Sequence, residues 1–499
     1  MTATLTRADG PAPAAAPVHP RRWLALAIIA LAQLMVVLDA TIVNIALPKM
    51  QVDLEISDAQ RQWVLTAYTL TFGGLLLLGG RIADYWGRKR TFVVGAIGFA
   101  LASALGGAAQ DGLTLFAARG LQGVFGALLA PAGLALLTVL FTEAKERAKA
   151  FAVYGAIAGG GAAIGLLLGG VLTEYANWRW CLLVNIPIAV IAIAAALPVV
   201  PESRAQGNTR YDIPGAVTVT LGLIGLVYGL TKAAEPAYGW ESPVSLGFII
   251  GGALLLALFV AIQLKSSHPL LPLRIVLDRN RGGAYLSGIL TGAGLMGAFF
   301  FLTFYFQGIL LYTPIQAGLA SLPISAGVFI SAGAASQLMP RLGAKPLMVA
   351  GAVLAAGAMF FLTQIGLGTA YATHVLPGAL VLGLGLGFTF VPLSSLALVG
   401  VPEHDAGAAS ATLNATQQVG GSLGAALLST FALNASAAYM TEHLADGPLP
   451  LVQANAAVHG YTVAFAWGGG LLTFSALVIL LLIKVSRKDL PAEAAIHVG

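Results

Sequence analysis

Apolar runs of about 20 or more residues recur fourteen times along the 499-residue chain, and short charged segments separate them. They lie near residues 22–48, 60–80, 91–109, 112–140, 149–173, 178–200, 212–231, 243–264, 282–307, 315–338, 346–367, 374–398, 406–432 and 461–484. At 1.5 Å per residue, each is long enough to cross a hydrocarbon core of roughly 30 Å as a helix. The predicted fold is therefore all-α and integral to a membrane, with fourteen transmembrane helices. A tail over 1–21, a six-helix bundle over 22–200, a linker with two extra helices over 201–265, a second six-helix bundle over 266–485 and a tail over 486–499 divide the chain. The stretch 434–460 reads as a polar loop.

The charges between the spans set an orientation. If residue 1 is cytoplasmic and the spans alternate, 21 Lys and Arg residues fall on the cytoplasmic side and four, Lys49, Arg61, Arg179 and Lys232, on the other. Positive charge collects on the cytoplasmic side of membrane proteins, so both termini are expected there. A cleavable leader is not expected, because the apolar run after Arg22 is too long for one.

Composition agrees with this class. Charged residues make up 9% and hydrophobic ones 58%, against about 25% and 45–50% in soluble domains. The 61 glycines suit helices that pack through small residues within lipid. The lone cysteine, Cys181, excludes an intramolecular disulfide and reads as a core residue. No histidine has a partner at ligand spacing and no phosphate-binding glycine loop is present, so neither a metal nor ATP is expected. The net charge of +5 is spread by topology, so nucleic acid is not an expected partner.

One charge is out of place. Asp39 is the only acid well inside a span, about 13 Å from Pro48, which reads as the end of its helix. An intramembrane carboxylate is expensive and marks function. Arg119 enters the fourth span to a similar depth and could pair with it. Burial penalises a carboxylate and a nearby guanidinium stabilises it, so the balance shifts as a site opens and closes, as a proton-exchanging group requires. Arg119, Gln122, Gly123 and Gly126 share one helix face. In the fifth span, Gly155 with Gly159, and Gly161 with Gly165 and Gly169, form two close-packing stripes. Ser410, Asn414, Gln417, Gln418 and Gly421 form a polar stripe on the thirteenth span, suited to a cavity or to interhelical hydrogen bonds. The aromatic run from Phe299 to Phe306, followed by Gln307, offers a greasy wall on which two or three rings face a cavity. Gln122, Tyr305, Gln307, Asn414 and Gln417 are thus the candidate substrate contacts.

The segment GGRIADYWGRKR, Gly79–Arg90, has a degenerate echo in SQLMPRLGAK, Ser336–Lys345, with Gly87 on Gly343 and Lys89 on Lys345. Each follows the second helix of a six-helix block, which indicates duplicated bundles with a binding site between them. GGRIADYWGRKR closely resembles the signature loop of the major facilitator superfamily. LDATIVNIALP, RGLQGVFGALLAP, FYFQGILLYTPIQAGLASLP and GAASATLNATQQVGGSLGAAL resemble its fourteen-helix drug:proton antiporter branch (EmrB/QacA type).

That resemblance covers Arg22 to Lys488. It implies a bacterial inner-membrane exporter that rocks between inward- and outward-open states, driven by the proton gradient without a cofactor, and it points to Asp39 and Arg119 for coupling. The branch usually carries proline after the glycine at position 165, where this chain has Leu166. Asp84, by accepting hydrogen bonds from a neighbouring helix N-terminus, with Arg88 and Arg147 bonding across the gate, would form a conformational latch. Gly80 and Gly87 would keep its turn tight. The expected partners are a hydrophobic or amphipathic small molecule, protons and lipid, with the chain acting as a monomer. The rival readings are a dedicated metabolite exporter, a proton symporter and a lipid-modifying membrane enzyme; the last would need a nucleophile–base pair or metal cluster that the sequence does not display.

Overall fold

The computed structural model describes residues 20–204, 212–235, 237–266, 269–271, 273–401 and 406–485. The first six long helices are α1 Arg22–Asp53, α2 Trp63–Trp86, α3 Arg88–Gly107, α4 Gly112–Leu140, α5 Ala144–Tyr175 and α6 Asn185–Val199. An extra pair follows, α7 Ile213–Ala234 and α8 Pro243–Lys265. The last six are α9 Arg279–Phe304, α10 Pro314–Leu342, α11 Ala344–Leu362, α12 Leu376–Leu398, α13 Ala406–His443 and α14 Leu449–Leu482. Among the described residues, thirteen helical stretches are long and apolar enough to cross a membrane, and α5 supplies a further 32-residue helix.

The duplication is visible in the packing. α2 lies on α4, α3 on α4 and α6, and α1 on α5; in the same order α10 lies on α12, α11 on α12 and α14, and α9 on α13. The halves meet along two related seams, α2 against α13 and α5 against α10. The extra pair breaks this symmetry by packing α7 on α2 and α13 at one seam only. Asp212 fixes the start of α7: its carboxylate accepts from the Gly215 amide (2.9 Å), from Gln263 Nε2 on α8 (2.6 Å) and from the Leu270 amide (3.2 Å).

The glycine stripe on α5 seats that helix against α1. A methyl group on Gly161 would come within 3.0 Å of Val37, one on Gly169 within 2.7 Å of the Ile42 carbonyl, and one on Gly165 would collide with Thr41. The surroundings of Gly155 and Gly159 lie outside the described residues. α5 is unbroken at Leu166, a buried residue whose carbonyl faces Gly318 of α10.

Four boundaries differ from the sequence reading. Pro48 does not end α1, which continues to Asp53. A proline removes only one helical hydrogen bond, and neighbouring helices tolerate the loss in a membrane protein. Residues 434–460 are largely helical, because α13 runs to His443 and α14 begins at Leu449. The Ala-rich sequence there favours helix despite its polarity. The sixth span is broken into a turn, Trp180–Leu183, and α6 from Asn185; Pro187, with no amide proton, fits the first turn of a new helix and cannot continue the previous one. Finally, the signature segment is not an open loop. α2 extends to Trp86, and only Gly87, at φ 129°, separates it from α3. Gly80 therefore sits inside α2, against Pro131, and not in a turn.

Candidate functional site

Asp39 is fully buried and so is Arg119. Arg119 Nη1 donates to Asp39 Oδ2 at 2.6 Å and to Gln122 Oε1 at 2.7 Å, and its Nε donates to the Val64 carbonyl at 2.9 Å. The guanidinium also stacks 4.6 Å from the centre of the Tyr68 ring. Asp39 Oδ1 accepts from Gln122 Nε2 (2.9 Å) and from Asn185 Nδ2 (2.7 Å). Ser103 Oγ accepts from Gln122 at 2.7 Å and from Asn185 at 3.3 Å. α1, α2, α3, α4 and α6 thus converge on one ion pair. Balanced charges, and hydrogen bonds to both Asp39 oxygens, make such a pair tolerable away from water.

Local structure explains each placement. Asp111 caps α4 by accepting from the Thr114 amide at 2.8 Å, which fixes the register that carries Arg119 and Gln122 on one face. Hydrogen bonds from the Thr114 backbone and side chain hold the Asp111 carboxyl below its ordinary range. The break before α6 points Asn185 inward from that helix's first turn. Asp53, at the end of α1, anchors the break through Trp178 Nε1 (2.9 Å) and Arg179 Nη1 (2.6 Å). Gly123 allows α2 to approach, since a methyl group there would collide with Thr71 and the Tyr68 carbonyl.

The structure brings Asp39, Arg119 and Gln122 together, but it places Gln122 in the charge network, not among free cavity contacts. Asn185 and Ser103 were missed by sequence reasoning. Nothing marks an asparagine after a tryptophan-rich turn, or a serine in a small-residue helix, until the fold joins them.

The remaining candidates are scattered. Tyr305 is buried and donates to the Gly366 carbonyl at 2.8 Å; Gln307 Nε2 crosses between the halves to the Ile45 carbonyl at 2.8 Å. Asn414 is exposed and bonds the Ser410 carbonyl of its own helix, and Gln417 is half-buried. Phe300, Phe301, Phe304 and Phe306 are packed away, with Phe299 partly covered.

At the basic end of the bundle, Asp84 accepts from Arg88 Nη2 (2.8 Å) and Nε (3.1 Å) across the Gly87 break, and among the described residues not from a helix N-terminus. The anion at the start of α3 is instead Glu202, which accepts the Lys89 and Arg90 amides at 3.1 and 3.2 Å. Arg147 is exposed on the first turn of α5, where the ion pair formed is Arg22–Glu146 at 2.6 Å.

The halves are latched at one face. Among the described residues, the hydrogen bonds joining α1–α6 to α9–α14 are Thr69–Ser422, Gln307–Ile45 and Ile315–Glu174, all in the portion of the molecule away from Arg88–Arg90. Arg61, lying over Phe304, adds a cation–π contact at that same face.

Comparison with known proteins agrees with this architecture. Residues 29–425 match the Major Facilitator Superfamily. The chain is 49% identical over 484 residues to the puromycin resistance protein pur8 of Streptomyces alboniger, covering 96% of this chain and 94% of that protein. It is 37% identical to the cephamycin export protein CmcT of Amycolatopsis lactamdurans, covering 85% and 88%. Among solved structures, a bacterial homologue of the human lysosomal transporter Spinster, inward-facing and unoccupied, superposes with a TM-score of 0.66 at 15% identity, covering 95% of this chain and 99% of that one.

Proposed function

Because the chain belongs to the Major Facilitator Superfamily, a family of transporters and not of enzymes, we propose that it exports antibiotic-like small molecules in exchange for protons. The buried Asp39–Arg119 network, confined to one half of a rocking two-half machine, is the observation that carries this reading. Relatives that confer resistance to puromycin or export cephamycin support the substrate class and the outward direction. The drug:proton antiporter branch, a monomeric unit and cytoplasmic termini belong to the same proposal. The charge asymmetry supports a cytoplasmic Arg88–Arg90 face, and a latch confined to the opposite face fits an inward-facing state.

In that state Asp39 is paired with Arg119. Opening toward the other face would admit water, and protonating Asp39 would release Arg119 and loosen the α1–α4–α6 junction. Return to the inward state re-forms the pair and expels the proton, which couples the two sides of the membrane. The Asp84–Arg88 pair at the Gly87 break, with Arg147 on the first turn of α5, would stabilise one state of the cytoplasmic gate. The exposed Asn414 and half-buried Gln417 on α13 are the candidate contacts left for substrate.

The test uses inside-out vesicles with an acidified lumen and puromycin as the probe. Puromycin should enter and protons should leave, and Asp39→Asn should abolish both while the protein remains folded. Undiminished exchange by Asp39→Asn would remove that carboxylate from the mechanism. α5 is unbroken at Leu166, where the antiporter branch usually has proline, so symport is the second reading; protons accompanying the probe in the same direction would establish it.

A further inference from the structure

We propose that Phe300 and Phe304, backed by Phe301 and Tyr461, form a subsite for lipophilic organic cations at the face opposite the basic one, and that Arg61 occupies it in this state. The Arg61 guanidinium lies 3.8 Å from the centre of the Phe304 ring and 5.6 Å from that of Phe300. It is only 7% exposed. Its ion partner, Asp58 at 3.0 Å, is largely solvated, and its Nε has no hydrogen-bond partner. Besides Asp58 and the nearby Tyr461 hydroxyl, the cation is held by ring faces. Those rings form one cluster, with Phe300 and Phe304 at 5.1 Å, Phe300 and Phe301 at 5.1 Å, and Phe301 and Tyr461 at 5.9 Å.

The occupant and the cage belong to different halves. Arg61 precedes α2, while the rings stand on α9 and α14. Separation of the halves at this face would withdraw Arg61 and leave an electron-rich, weakly hydrated cage. Such a site attracts a delocalised organic cation through the negative faces of its rings. As the face closes again, Arg61 competes for the same rings and displaces the guest. This inference rests on the alternating-access reading and adds a substrate class to it.

The experiment is equilibrium binding of radiolabelled tetraphenylphosphonium to the purified full-length protein in nanodiscs, with neutral triphenylphosphine oxide as control. Arg61→Gln is expected to raise cation affinity about tenfold or more, with less than about a twofold change for the neutral probe. Adding Phe304→Leu should reverse the gain. Arg61→Lys, which keeps the charge but loses the planar face, guards against misfolding and should give an intermediate gain. Unchanged cation affinity, an equal gain for the neutral probe, or a gain insensitive to Phe304→Leu would overturn the subsite. Phe304-dependent binding without proton exchange in vesicles would remove the export reading and leave the cage standing. Proton exchange without such binding would remove the cage alone.

Discussion

Lys89 and Lys345 occupy the same place in the two halves, each just after a glycine of positive φ, Gly87 at 129° and Gly343 at 85°. Lys89 Nζ donates to the Leu197 carbonyl in the last turn of α6 (2.6 Å), and Lys345 Nζ donates to the Leu480 carbonyl in the last turn of α14 (2.8 Å). The final carbonyls of a helix lack intrahelical partners, so a lysine there satisfies them and complements the dipole. No such correspondence exists for Asp39. Among the described residues from 273 to 485, no Asp, Glu, Lys or Arg is buried, and the buried polar link between α9 and α14 is Ser287–Ser475 at 2.8 Å. Duplication has kept the mechanical parts and confined the buried charge to one side. On the proton-coupled reading proposed above, one half would respond to protons while the other moves against it as a passive partner.

The strongest break of this asymmetry is removal of the charge. Asp39→Asn should lower proton-driven export in vesicles by about 10²-fold or more, the scale of losing a positioned proton-transfer group. Ser287→Ala with Ser475→Ala, the counterpart in the other half, should leave export within about twofold and cost about 1 kcal/mol of stability. Comparable losses of export from both would end the claim that coupling is one-sided.

A second, smaller effect separates stability from transport. Arg119→Leu strands a buried carboxylate and should cost about 3–5 kcal/mol in thermal or denaturant unfolding. Asp39→Leu combined with Arg119→Leu should recover most of that cost, because two apolar side chains need no partners, while export stays abolished. If the double variant is as unstable as the single one, Gln122 and Asn185 hold the junction and the ion pair does not.

The sequence displayed the repeat and the ion pair because both violate a strong background. A lone acid in an apolar span and a basic GxK echo after the second helix of each block need no tertiary information. Asn185, Ser103 and Glu202 were hidden because small polar residues near helix ends are common and gain meaning only through their neighbours. Pro48 and the stretch 434–460 misled for a related reason: proline and polarity weaken a helix locally, yet packing and alanine content can carry it through. Arg61 was counted as an outer loop charge, and only the fold reveals that it reaches across into the rings of the other half.

The smallest effect sharpens the comparison most directly. Alanine at either glycine is forced into a backbone region that costs a non-glycine residue about 1–3 kcal/mol. At Gly343 nothing else is disturbed, since the nearest atom to a new methyl is Pro346 Cδ at 4.0 Å. At Gly87 the same methyl comes within 2.8 Å of Glu202 Oε1, the carboxylate that accepts the Lys89 and Arg90 amides. Gly87→Ala should therefore lower the melting temperature more than Gly343→Ala, by the worth of that helix-terminal anion, about 0.5–1 kcal/mol. In a Glu202→Ala background the excess should vanish, because the methyl then meets no carboxylate and the two turns become equivalent. Equal losses in the native background would mean that Glu202 yields freely, leaving the turn itself as all that the two copies share. A surviving excess without Glu202 would instead place the difference in the Asp84–Arg88 pair that brackets Gly87 and has no counterpart at Pro340.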